Sequence, residues 1–229
     1  MKELKITLND IKEKDTTKIK SVKLLAVEGQ DEWYFFKRFL EKHLKISDVQ
    51  IIDIGGESNF ASKLELLRLS PDFSKVEIIG FIQNADNDIE KSFEKIQVAI
   101  KDNLNMIAPR NINTWEYNKP QLGVFILPNS IENGMLEDLC LKSVASDPIM
   151  PCLDAYFKCI EGILPKNKQP KNIAKTMTQA FLASRKEYKS SVGFAVEEDY
   201  WNFDDDCMKE IKDFLTFFKQ IDRNLQTTP

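Results

Sequence analysis

Acidic residues recur in this chain at the positions where an open α/β sheet keeps its sites. The apolar run Leu24-Leu25-Ala26-Val27 ends in Glu28-Gly29, and Glu32 follows one helical turn later. A second apolar run, 76–83, ends in Asn84-Ala85-Asp86-Asn87-Asp88. A third, 122–127, leads through Pro128-Asn129-Ser130 to Glu137-Asp138. Sites in such sheets lie outside the carboxyl ends of the strands. Hard cations such as Mg2+ or Mn2+ take oxygen ligands from carboxylates that converge in this way. Two such ions stabilise the attacking and leaving oxygens of phosphoryl transfer. Without a cation, clustered acids raise one another's pKa values. The candidate metal ligands are Glu28, Asp86, Asn84, Asp88, Glu137 and Asp138. The candidate catalytic groups are Glu28, Glu32 and Lys175, the last as a cation facing the charge of a transferring phosphoryl group.

Each of these residues also has a plainer reading. Glu28 could cap a turn, and Glu32, Glu137 and Asp138 could be acids favoured by a helix dipole. Asp88 suits a helix cap and Asp86 a turn. Lys175 could be a solvated helix lysine. Asn84 can be read in two registers. Asn84 and Asp86 directly follow the strand, and Asp86 and Asp88 are the next pair at the same spacing. An amide oxygen can ligate a cation but adds no negative charge.

The elements that must position these groups follow from periodicity. Strands are expected at 22–27, 49–54, 76–83 and 122–127, alternating with helices at 31–44, from Ser58 or Asn59 to Pro71, and at 89–100. Segment 111–120 is either a loop or an extra strand. Helices are expected at 135–144, 151–160, 171–185 and 205–221, between Pro148, Pro151, Pro165 and Pro170. Alternating strands and helices imply a mainly parallel sheet. The expected organisation is a polar lead-in at 1–20 with a short strand at 4–8, an α/β core at 21–133 and a helical C-terminal part at 134–229.

The chain has 229 residues, 42% of them hydrophobic, and a net charge of −4 with a pI near 5.3. That size suits one large domain with an appended part. The acidic balance gives no global support for nucleic-acid binding, which would need a local basic patch. The four cysteines form no CxxC pair and His43 is the only histidine, so a zinc site of ordinary spacing is not expected. No apolar stretch approaches a membrane span and the N-terminus lacks a signal-peptide core, so a cytoplasmic protein is expected.

Val27-Glu28-Gly29, followed by an acid-x-acid element after a later strand, resembles the Toprim domain, the metal-dependent module of topoisomerases, primases and certain nucleases. That pair directly follows its strand in Toprim domains, so the resemblance implies the register Asn84 and Asp86, with an amide in place of the first Asp and a lower cation affinity, over Asp86 and Asp88. Glu32 and Leu136-Glu137-Asp138 resemble the further acids in the Toprim modules of overcoming-lysogenization-defect nucleases. Over roughly 22–218, with Gly55-Gly56 and Gly134-Met135-Leu136-Glu137-Asp138-Leu139, the chain most resembles a family of small stand-alone Toprim-like proteins of unknown function. The resemblance implies a Toprim-like α/β fold with a four-stranded sheet flanked by helices. It also implies a Mg2+ or Mn2+ cofactor, nucleic acid as partner, and phosphodiester cleavage with Lys175 as the assisting cation. The competing expectation is a non-catalytic protein-interaction or regulatory partner that keeps the fold. Asn84 and the acidic pI favour this second expectation.

Overall fold

The computed structural model describes residues 18–220. The strand expected at 4–8 lies outside them, as do residues 221–229.

β1 (Lys23–Val27) is buried along its whole length. It pairs in parallel with β2 (Val49–Asp53) on one side and β3 (Ile78–Asn84) on the other. β5 (Gln121–Leu127) extends the sheet in parallel from β3, and β4 (Thr114–Glu116) closes that side antiparallel to β5. The order is β2-β1-β3-β5-β4. Parallel strands covered on both faces read as continuous apolar runs, which is why four of the five were legible. The expected count of four is corrected to five. β4 was missed as a definite strand because it is three residues long and contributes one apolar side chain, Trp115.

Alternate residues of each strand feed two cores. On one face, Leu25, Val27, Ile78, Ile82, Phe125 and Leu127 meet α1 (Gln30–Arg38) and the C-terminal helices. Those are α4 (Leu136–Ser143), α5 (Met150–Ile163), α6 (Ile173–Ala183), the short α7 (Val192–Ala195) and α8 (Lys209–Thr216). On the other face, Leu24, Ala26, Ile79, Phe81, Val124 and Ile126 meet α2 (Gly56–Leu69) and α3 (Ile89–Ala99). α1 carries Asp31 and Glu32 in its first turn and Lys37 and Arg38 in its last, the arrangement a helix dipole favours. It runs on as a π-helical turn over Phe39–Leu44 and stops at Lys45, whose φ is 56°.

Two boundaries differ from expectation. α2 begins at Gly56, before Ser58 and Asn59, because Gly55 supplies the left-handed entry with φ 71°. The last helix begins at Lys209, after Asp205 has capped a 3-10 turn through the backbone N–H of Cys207. α7 was not anticipated, since four residues carry no readable helical period.

Candidate functional site

The carboxyl ends of β1 and β3 lie side by side, with Val27 opposite Ile82. Glu28 leaves β1 there and is fixed by its backbone: Gly56 N–H donates to the Glu28 carbonyl at 2.8 Å. Its Oε2 accepts from the backbone N–H of Asn84 at 3.2 Å and from Asn84 Nδ2 at 2.9 Å. The same Nδ2 donates to Glu32 Oε1 at 3.1 Å. Asn84 Oδ1 accepts from the backbone N–H of Leu136, the first residue of α4, at 3.0 Å. One amide therefore joins two carboxylates and a helix N-terminus. Its orientation follows from the partners, because the reversed amide would set its oxygen against both carboxylates. β3 ends on Asn84 rather than Gln83, and this places the amide inside the cluster, on the face shared with α1 and α4.

Burial is the main force raising the Glu28 carboxyl pKa, and the negative charges of Glu32 and Asp86 add to it. The Asn84 hydrogen bonds pull in the opposite direction. Glu137, buried at the start of α4, is raised chiefly by desolvation. The Lys175 ammonium lowers it, while Glu32 and Asp31 raise it further. The Glu32 charge is thus felt at both Glu28 and Glu137, that of Asp86 at Glu28, and that of Lys175, supplied by α6, at Glu137.

The two remaining acids have their oxygens engaged at helix starts. Asp88 Oδ1 accepts from Lys91 N–H at 3.0 Å and caps α3. Asp138 Oδ2 accepts from Met135 N–H at 2.8 Å, within the first turn of α4. Asp86 sits at φ 51°, and its N–H donates to the Gly134 carbonyl at 2.8 Å. Asn133 adds two more ties to this loop, to Ile89 N–H and the Asn87 carbonyl. The loop after β3 is thereby laced to the loop before α4.

Among the described residues, no group of three or more His, Cys, Asp or Glu side chains is placed to hold a metal ion. The physical reason lies at Asn84. Its NH2 stands between Glu28 and Glu32, where a bridging cation would stand, and its oxygen is turned to Leu136. As arranged, these residues do not fit a divalent ion.

Reading the sequence for acids overlooked a basic segment. Residues 162–186 contain Lys166, Lys168, Lys171, Lys175, Arg185 and Lys186 and no Asp or Glu, in a chain of net charge −4. Arg185 is paired with Asp147, while Lys166, Lys168, Lys171 and Lys175 are exposed. A cavity of about 450 Å³ sets the middle of this segment, Lys171–Ala174, against Asp86, Gly134 and Asp138. The absence of acids over 25 residues was the signal available in the sequence.

A family model matches residues 22–220. The chain belongs to that family, described as a protein of unknown function (DUF3226). No curated protein matches the sequence. This DUF3226 chain is similar to the C-terminal region of the Xanthomonas campestris pv. campestris OLD protein. In the structure phased with iodine the identity is 12% and the TM-score 0.43, covering 90% of this chain and 100% of that one. In the structure phased with mercury the identity is 12% and the TM-score 0.42, with the same coverage. Among the described residues, no helix is long and apolar enough to cross a membrane.

Proposed function

We propose that this chain is a Toprim-like protein that docks on the phosphodiester backbone of nucleic acid and does not cut it unaided. The observation that carries this reading is the Asn84 bridge, which links Glu28 to Glu32 with an uncharged donor in place of a cation. A centre built on Mg2+ or Mn2+ needs net negative charge to hold the ion. Here one potential ligand is an amide whose oxygen is already taken by Leu136. Docking rests on the exposed lysines 166, 168, 171 and 175, of which Lys171 lines the cavity beside Asp86 and Asp138 and Lys175 acts on Glu137. Phosphate contacts of this kind position a backbone without reading its sequence. The test is fluorescence anisotropy with labelled single- and double-stranded oligonucleotides across a salt series, beside a cleavage assay with Mg2+ and Mn2+. Salt-sensitive binding without cleavage is expected. Failure to bind any oligonucleotide at low salt removes this reading.

A second reading, a Mg2+- or Mn2+-dependent phosphodiesterase, is favoured by one feature: the Lys175 ammonium lowers the Glu137 pKa, while Glu32 is felt at both Glu137 and Glu28. Metal-dependent cleavage that disappears in both Glu28→Gln and Asp86→Asn would install it in place of the first.

A further inference from the structure

The basic segment runs on into an exposed aromatic ring. α6 carries Lys175 and, one turn further on, Gln179; both are exposed, and residues four apart share a helix face. Gln179 holds the loop that follows α6. Its Nε2 donates to the Ser190 carbonyl at 3.2 Å, and its Oε1 accepts from the Tyr188 hydroxyl at 3.4 Å. Tyr188 therefore extends the line along α6 that Lys175 begins. The chain around it is tied on both sides. The Tyr200 hydroxyl donates to the Glu187 carbonyl at 2.8 Å, and the buried Lys189 is paired with Glu198 at 2.7 Å. Lys189 also feels the Glu187 charge, so one ammonium answers both nearby acids. Lys186, two residues before Tyr188, is exposed. With its neighbours held in this way, the Tyr188 ring still stands 59% exposed.

We infer that Tyr188 is a platform on which a base of single-stranded nucleic acid stacks. The inference rests on the docking reading and names the class of strand it takes: one whose bases are unpaired. The surface asks for two things at once, an anionic backbone for Lys171, Lys175 and Lys186 and a flat apolar face for Tyr188. A single strand offers both at every nucleotide. In a duplex each base is already paired and stacked, and no face is free for the ring. One helical turn is about 5.4 Å, comparable to the step between consecutive phosphates of an extended strand. A backbone that follows Lys171 and Lys175 along α6 thus brings a base over Tyr188. Every base has such a face, so the stack adds affinity without reading sequence, as the phosphate contacts do.

Fluorescence anisotropy on the full chain compares a thymidine strand, a duplex, and an abasic strand that keeps every phosphate and lacks the bases. The thymidine strand should bind about tenfold tighter than the abasic strand of the same length, the range that stacking one base produces. Tyr188→Ala should erase that difference and leave abasic and duplex binding unchanged. Its melting temperature should hold, because the ring is exposed. Tyr188→Phe loses the bond to Gln179 and keeps the ring, so it should bind the thymidine strand as wild type does. Equal wild-type affinity for the thymidine and abasic strands overturns the inference and leaves docking intact. So does thymidine binding that survives Tyr188→Ala, or that falls as far in Tyr188→Phe. Binding of no strand at all removes the docking reading, and this inference with it.

Discussion

Asn84 does with a neutral amide what a cation would do with charge, and that exchange can be tested at one position. Asn84→Asp removes the two N–H donors that hold Glu28 and Glu32 and sets a third carboxylate beside them. Losing such contacts costs about 1–3 kcal/mol, and the new repulsion adds to it. The melting temperature should fall in EDTA and recover with Mn2+, because the variant gains the charge a cation needs. Scanning fluorimetry with and without Mn2+ measures this, and a variant indifferent to Mn2+ would place Asn84 outside any latent ion site. Glu137 gives a second test. Its folded pKa lies above the ordinary glutamate value of 4.5 because burial disfavours the charged form. An acid raised in the folded state favours folding below the unfolded pKa and loses that contribution as pH climbs through the folded one. Glu137→Gln should therefore be more stable than wild type at pH 8 and show no such advantage at pH 4. Equal melting temperatures at both pH values would contradict the assigned burial.

At the scale of elements, two glycines mark where the backbone leaves no room. Gly193 in α7 faces α1 so closely that an added Cβ would lie 2.5 Å from Tyr34 Cβ and 2.8 Å from Phe35 N. A backbone atom cannot move aside as a side chain can, so Gly193→Ala should displace α7 and cost about 3 kcal/mol or more, as overpacking does at its upper end. Gly134, at φ 144°, precedes the start of α4, and a Cβ there would meet Asp138 Oδ2 at 2.7 Å. Gly134→Ala should loosen the cap that presents Leu136 N–H to Asn84, a smaller loss of about 1–2 kcal/mol. Urea unfolding of both variants checks the order, and a Gly193→Ala chain as stable as wild type would refute the close approach. Both glycines carry constraints that no periodicity reveals. The buried strands announce themselves as apolar runs, so the sheet was legible, and Glu28 directly follows one of them while Glu137 stands further on, at the start of α4. β4 and α7 were too short to show a period. The direction of the Asn84 amide was set by Leu136, 52 residues away in sequence, and only the fold brings them together.

For the whole molecule, the opposed charges matter more than the total. A net charge of −4 argues against a polyanion partner only if the charge is spread evenly, and residues 162–186 show that it is not. If Lys166, Lys168, Lys171 and Lys175 each neutralise a phosphate, the salt slope for single strands should be roughly −3, at ~0.7 per contact. Lys168→Glu with Lys171→Glu should weaken oligonucleotide binding and flatten that slope, with the melting temperature unchanged because both side chains are exposed. An unaltered slope would mean that the segment does not meet phosphate.

The chain's three tryptophans sit at three different joints. Trp33 donates to the Ile51 carbonyl where α1 meets β2, Trp201 stacks on Phe181, and Trp115 is sandwiched between Phe214 and Phe217. Each is therefore an optical reporter of a different closure. With two of the three replaced by Phe, emission from the survivor follows one joint alone during refolding. Trp33 reports a contact between near neighbours in the chain, whereas Trp115 must wait for partners about a hundred residues downstream. Loop-closure entropy orders these events, so the Trp115 signal should arrive last. A growing chain that has made its strands but not yet residues 214–217 therefore carries β4 as an antiparallel edge without the rings that cover Trp115.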